Sequence, residues 1–223
     1  MRLFTVIEAE QRSPEWFAAR LGRLTGSVAG DMLAKTKSGY STSRRNLCLR
    51  LVLERLTGKS QDTGYVSSAM QAGIDREADA FAAYEALTGD MALRTGFLAH
   101  TVHLAGCSLD GHLGDFDKLM SIKCRQPAGH WEFLKTGTIP ADALAQIQHE
   151  LWITGAREHD YFSWNPDFPD TLQSRIVTVP RVEADIAAYE REVLTFLAEV
   201  EREQHAVATT AGVGAVLREA VAV

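Results

Sequence analysis

Two short apolar runs separated by an acidic turn constrain this chain more than any other stretch. The first is Gly106-Cys107-Ser108-Leu109-Asp110-Gly111; the second, at strand distance, is Leu119-Met120-Ser121-Ile122-Lys123-Cys124. Asp-Gly after Ser-Leu is a turn signal, because both residues tolerate the backbone of a tight reversal. A lysine in a run otherwise built of Leu, Met, Ile and Cys is costly to bury unless an anion lies beside it. Asp110, at the end of the neighbouring strand, can supply that anion, or both residues can face a phosphate. A plain β-hairpin with a solvent-facing lysine satisfies the same residues.

Around that pair the chain alternates between helical and strand-like periods. Residues 2–7 read as a first strand. Ser13 is an N-cap and Pro14 a first helical position, opening a helix that stops at Gly22. The loop Arg23-Leu24-Thr25-Gly26-Ser27 leads into a second helix over 28–35. Free backbone N–H groups there, with the Thr25 and Ser27 hydroxyls and arginines just upstream, make a phosphate pocket or an ordinary helix junction. A helix over about 43–56 has Leu47, Cys48, Leu51 and Val52 on one face, with Arg44, Arg45, Arg50 and Arg55 reaching past that stripe to water. A linker over 58–64 precedes a long helix over 66–88, ending at Gly89. It carries Gly73, where another backbone can approach, and one turn later Glu77, which reads equally as an exposed helical carboxylate.

A β meander follows over 91–99, 101–107, 112–114 and 119–124, with His100 and His103 expected at its surface. Helices over 127–135 and from Pro140 to Trp152, strands over 160–164 and 173–179, and a charged helix over 182–203 complete the pattern. Gln146 and Gln148, two positions apart on a helix, face different ways. His149-Glu150 opens a zinc HExxH motif, but residue 153 is Ile, so the motif fails.

The 223 residues suit one well-buried domain, placed at 1–205; residues 206–223 form a tail that is a loose helix, a subunit contact or flexible. No apolar run approaches a membrane span, and the start meets a carboxylate too early for a signal peptide. Three cysteines without CxxC spacing fit a reducing cytosol and argue against a cysteine zinc site. The net charge of −6 does not advertise a polyanion partner. Its distribution does: residues 1–60 hold eleven Lys and Arg against five Asp and Glu, on an otherwise acidic body. Chance clustering on helix faces gives the same count.

Several blocks together resemble one family. Gln11-Arg12-Ser13-Pro14-Glu15-Trp16, Arg20-Leu21-Gly22 and Thr25-Gly26-Ser27 look like the amino-terminal blocks of phage recombination nucleases of the lambda exonuclease type, the YqaJ-like viral recombinases. Gly73 with Glu77, then Tyr84 and Thr88-Gly89, match the next block. Ser108-Leu109-Asp110-Gly111 resembles the family's Ser-Pro-Asp-Gly turn, and Ile122-Lys123-Cys124 the end of its Glu-x-Lys-Cys-Pro strand. Gln146-Ile147-Gln148 and Leu151-Trp152-Ile153-Thr154-Gly155 match its Gln-x-Gln helix. The blocks run in the family's order over residues 11–164.

The resemblance implies an α/β, restriction-endonuclease-like core: a central mixed β-sheet flanked by helices. It implies two Mg²⁺ ions, with Mn²⁺ as a substitute, held by Asp110 and the Ile122 carbonyl. Lys123 would orient the attacking water and neutralise the scissile phosphate, Glu77 and Gln146 would support the metal and water shell, and Arg20, Thr25 and Ser27 would hold a 5′ phosphate. Hard oxygen ligands suit Mg²⁺, and paired ions neutralise the phosphate while activating water. The family's second acidic ligand falls at Ser121, a far weaker ligand than a carboxylate. The resemblance therefore implies either a weakened nuclease that still binds DNA, or that Asp115 or Asp117 reaches the ion. Ala143 stands where the family has a helix tyrosine.

The leading expectation is a 5′-to-3′ exonuclease acting on double-stranded DNA ends, with a single-strand annealing recombinase as partner. The resemblance also implies a homotrimer, no membrane association, and the cytoplasm of a phage- or prophage-bearing bacterial host. The alternatives are a catalytically impaired DNA-end-binding protein and an endonuclease of the same fold; sequence readout by the latter needs groove-facing side chains beyond phosphate contacts.

Overall fold

The structure, a computed structural model, describes residues 2–37, 39–61 and 67–221. In chain order the elements are β1 (Phe4–Ile7), α1 (Pro14–Arg20), β2 (Leu24–Thr25), α2 (Ala29–Leu33), β3 (Lys35–Thr36), β4 (Gly39–Tyr40), α3 (Thr42–Thr57), α4 (Ser68–Asp75) and α5 (Glu77–Thr88). There follow β5 (Phe97–His100), β6 (Ala105–Ser108), β7 (Gly111–Leu113), β8 (Lys118–Cys124), α6 (Pro127–Thr136), α7 (Ala141–Thr154), β9 (Glu158–Trp164), β10 (Ser174–Pro180) and α8 (Glu183–Val221). Local chemistry sets most boundaries. Ser13 Oγ accepts the Trp16 N–H at 3.1 Å and Ser41 Oγ that of Arg44 at 3.3 Å, each satisfying an orphan donor of a first turn. Helices α3, α5, α6 and α7 each stop at a glycine in the left-handed region.

The described strands form two mixed four-stranded sheets, ordered β1-β5-β6-β2 and β10-β9-β8-β7, and a two-stranded pair, β3-β4. The chain leaves the first sheet at Ser108 and enters the second at Gly111, so Asp110 sits at the crossing. In the second sheet β8 runs parallel to β9 and antiparallel to β7. The link from β8 to β9 carries α6 and α7, the helical crossover that parallel strands require.

Side chains of β8 alternate between two cores. Leu119 joins the larger one with Ile147 and Leu151 of α7 and Tyr161 of β9. Met120 and Ile122 join the smaller one with Ala80 and Tyr84 of α5 and Phe162 of β9. Burying each such large apolar side chain stabilises the fold by about 1.5–3 kcal/mol. Ser121 and Lys123 therefore lie on the α7 side of the sheet.

The structure departs from the sequence reading at several points. The long helix over 66–88 is two helices, broken at Arg76, and residue 66 lies outside the described residues, as does part of the 58–64 linker. The strand expected over 91–99 is confined to β5, preceded by an isolated bridge from Leu93 to His112. Arg44 does not reach water: it is 1% exposed and pairs with Glu199 at 2.9 Å. His100 is buried, stacked on Trp152 at 4.8 Å between ring centroids. The tail from 206 takes the helical one of its three expected forms, continuing α8 to Val221.

Candidate active site

Strand pairing between β7 and β8 ends at Gly111 opposite Met120. Beyond it, Asp110 takes over the strand edge: its Oδ2 accepts the Ile122 N–H at 2.8 Å. Burial pushes the Asp110 carboxyl above its ordinary value. Lys123 pulls it back, Glu150 pushes it up, the Ile122 N–H pulls it down, and Glu77 raises it again. Asp110 thus shares one electrostatic environment with Lys123, Ile122 and Glu77, all expected site residues, and with Glu150, which sequence reasoning passed over.

Glu77 opens α5 and pairs with Arg94 at 2.8 Å. It lines a cleft of about 600 Å³ with Arg12, Arg94 and Asp110, and an adjoining one of about 420 Å³ with Lys123 and Arg125. Arg12, which faces both clefts, has φ 72, a left-handed backbone uncommon for a non-glycine residue. The α4 residue Gly73 lies toward the end of β8, where an added Cβ would stand 3.9 Å from the Cys124 carbonyl oxygen.

Gln146 and Glu150 are one turn apart on α7, and the Gln146 amide donates to Glu150 Oε1 at 2.8 Å. Glu150 Oε2 stands 2.8 Å from His159 Nε2, and the same nitrogen lies 3.2 Å from Ser121 Oγ. Ser121 is 2% exposed and has no carboxylate to offer. Asp115 and Asp117 do not stand in for it. Asp115 pairs with Arg2 and Asp117 lies 3.6 Å from Arg157, both at the Lys118 end of β8, about 16 Å of strand from Lys123.

A second pocket adjoins. Arg20 donates to Ser27 Oγ and to Ser108 Oγ, each at 3.4 Å, and Thr25 Oγ1 lies 3.3 Å from Ser27 Oγ. The Trp16 indole N–H also donates to Ser108, at 2.9 Å, while the Arg20 guanidinium lies over the Trp16 ring. Arg20, Thr25, Ser27, Arg23 and Arg50 line a cavity of about 80 Å³, less than three water molecules' share of liquid. Arg50 Nε is buried there with no hydrogen-bond partner among the described residues. Gly26 ties this pocket to the carboxylates: a Cβ at 26 would sit 3.4 Å from Gln146 Cγ and 3.5 Å from Glu150 Oε1. Ser108 and Arg12 fell within motif blocks but were given no role, Glu150 was considered only for the zinc motif that fails, and Arg50 was read as reaching to water. For Glu150 the i, i+4 spacing from Gln146 was the available signal.

The profile of the YqaJ-like viral recombinase domain matches residues 15–157. The chain belongs to the YqaJ-like viral recombinase family. No curated protein matches this family member. Among solved structures it is similar to an alkaline exonuclease, LHK-Exo, from Laribacter hongkongensis, at 35% identity and TM-score 0.82, over 90% of this chain and 98% of that one. The same figures hold for LHK-Exo in complex with dAMP. A phage-related exonuclease from Haemophilus somnus 129PT aligns at TM-score 0.64 and 10% identity, over 84% of this chain and 96% of that one, and shares the fold alone. The YqaJ-like chain has the restriction-endonuclease-like fold. Among its described residues no helix is long and apolar enough to cross a membrane.

Proposed function

We propose that this chain is a Mg²⁺-dependent exonuclease that digests one strand of double-stranded DNA 5′ to 3′ from 5′-phosphorylated ends, in phage-type recombination. The convergence of Asp110, the Ile122 backbone and Lys123 at one sheet edge carries this reading. The alkaline exonuclease relative, one form of which holds a nucleoside monophosphate, supports the reaction class.

Mg²⁺ fits the donor chemistry. Asp110 offers a carboxylate, and in an extended strand the Ile122 carbonyl leaves the same edge as its N–H; both are hard oxygens. No three His, Cys, Asp or Glu side chains gather to hold an ion among the described residues, so backbone, amide or phosphate oxygens would have to contribute to the shell. When bound, the ions supply charge neutralisation at the phosphate and a water of lowered pKa. Lys123 presents its ammonium to the scissile phosphate and steadies the attacking water. Gln146 and Glu77 hold the surrounding water by hydrogen bonds. Arg20, Thr25 and Ser27 grip the 5′ phosphate, joined by Ser108 and by Arg50 Nε, which has no hydrogen-bond partner among the described residues.

The same reading includes a homotrimer, a single-strand annealing recombinase as partner, and work in the cytoplasm of a bacterial host. A second reading, a DNA-end-binding protein with impaired catalysis, is favoured by one observation: the neutral, buried Ser121 at the family's acidic position. Linear duplex with a labelled, phosphorylated 5′ end, incubated with the chain and Mg²⁺, separates the two. Mononucleotide release is expected. Stable end binding without release would favour the second reading, and discrete internal fragments would replace both with an endonuclease.

A further inference from the structure

Ser121 leaves the proposed metal site one carboxylate short, and the structure holds a buried carboxylate with no role so far. Glu150 is 1% exposed, on α7, one turn beyond Gln146. Its Oε2 and the Ser121 Oγ both reach His159 Nε2, at 2.8 and 3.2 Å. The two oxygens are thus no farther apart than those two distances laid end to end. The side chain at position 121 and that of Glu150 meet at the same His159 nitrogen. A short hydroxyl on the strand makes room for a long acid from the helix.

The surroundings of Glu150 differ from those of a structural acid. Asp160, equally buried, is matched by the Lys118 ammonium and by the Tyr84 and Thr178 hydroxyls. Glu150 has an amide and an imidazole, and it lies within electrostatic reach of a second acid, Asp110. Two neighbouring buried carboxylates repel unless a cation stands between or beside them.

Resting on the metal-dependent reading above, we propose that Glu150 is the second acidic ligand of the divalent site, delivered from α7 instead of from position 121 of β8. Oxygen donors from a strand edge and a facing helix then enclose one hard cation, and Ser121 marks a relocation of the acid rather than its loss.

Mn²⁺ uptake by the full chain without DNA, followed by calorimetry and by the EPR signal of free Mn²⁺, tests this independently of catalysis. The wild type is expected to bind Mn²⁺, and Asp110→Asn to abolish that binding. Glu150→Gln keeps the side chain's length and an oxygen for His159; it is expected to weaken Mn²⁺ binding about tenfold or more while the ion-free protein melts within a few degrees of wild type. The double variant Ser121→Glu/Glu150→Ser, which returns the acid to the strand, is expected to recover most of that affinity. Undiminished Mn²⁺ affinity in Glu150→Gln overturns the assignment and leaves the metal-dependent reading standing. Loss in Glu150→Gln without recovery in the double variant also overturns it, since Glu150 is then a structural partner of His159. Should Glu150→Gln fail to fold, the folded double variant decides: uptake supports the relocation, and no uptake overturns it. Wild-type protein without Asp110-dependent Mn²⁺ binding overturns the metal-dependent reading itself.

Discussion

Strand β8 carries a lysine near each end, and the two sit in different electrostatic surroundings. Lys118 lies 2.8 Å from Asp160 and 3.2 Å from Glu158. Asp160 also accepts the Tyr84 hydroxyl at 2.8 Å and that of Thr178 at 2.6 Å. Every buried charge at that end has its opposite within the chain. Lys123, on the other face, forms no ion pair among the described residues, yet it acts on Asp110 together with Glu150 and Glu77. Glu77 has Arg94, which leaves the half-buried Asp110 and the buried Glu150 with that ammonium and the His159 ring. The Lys118 end is electrically complete, while the Lys123 end is balanced only by something brought in. Burial alone does not tell a functional charge from a structural one; an imbalance that the chain does not itself close does.

The largest effect expected is on rate, at the unbalanced end. Lys123→Ala should lower mononucleotide release about 10²–10³-fold, the usual loss when a group stabilising developing charge is removed. Its stability should fall modestly, by about 1 kcal/mol, because the Asp110 carboxyl loses the cation beside it, so the rate is taken per folded molecule. A rate within twofold of wild type would erase the contrast between the two ends. Asp160→Asn is the mirror experiment. It leaves Lys118 with Glu158 and weakens the bonds from the Tyr84 and Thr178 hydroxyls, at a cost of about 1–3 kcal/mol in chemical denaturation. The rate per folded molecule should hold. A variant that kept full stability but lost its rate would move the functional end to Lys118.

Much of this was legible in the sequence because it is local. Ser13 and Pro14 set the start of α1, and Gly89, Gly137 and Gly155 set three helix ends. Asp110 and Lys123 stood out as an acidic turn and an isolated cation in an apolar run. What stayed hidden depends on partners far apart in the chain. Arg44 read as a surface residue because its partner, Glu199, lies on α8. The order of strands within the mixed sheets, with the chain passing from one set to the other at 108–111, is not encoded in any one strand. Glu150 was passed over as half of a failed zinc motif; its place opposite Ser121 is set by His159, brought alongside when β9 pairs with β8. Arg76 sits within an unbroken helical period, and no residue there signals the break between α4 and α5.

The pocket beside the unbalanced end offers a smaller effect. It holds an excess of donors where the sheet edge holds an excess of acids, so it calls for an anion. Arg20→Ala should lower kcat/KM on 5′-phosphorylated ends by about 1.5–3 kcal/mol, the range for hydrogen bonds to a charged group, or roughly 10–100-fold. Rates on 5′-hydroxyl ends should hardly change. Equal losses on both kinds of end would make Arg20 a structural brace for Trp16 and Ser108 instead.

The smallest effect separates the two neighbours on α7, His149 and Glu150. Burial lowers the His149 pKa to about 4. Its Nε2 lies 3.0 Å from the Gly106 carbonyl, which only accepts, so Nε2–H donates and Nδ1 accepts the Tyr189 hydroxyl at 2.8 Å. A ring held in that neutral form binds its proton less tightly folded than unfolded. Its contribution to stability is therefore intact above the unfolded pKa of 6.5 and is lost as pH falls towards 4. Between pH 7 and 5.5 this amounts to roughly 1 kcal/mol, measurable by urea denaturation in a chelator. His149→Gln, which can keep both hydrogen bonds without titrating, should flatten that part of the stability curve. An unchanged slope in this variant would assign the acid loss to the other imidazoles that burial holds below their ordinary value, His100 and His112.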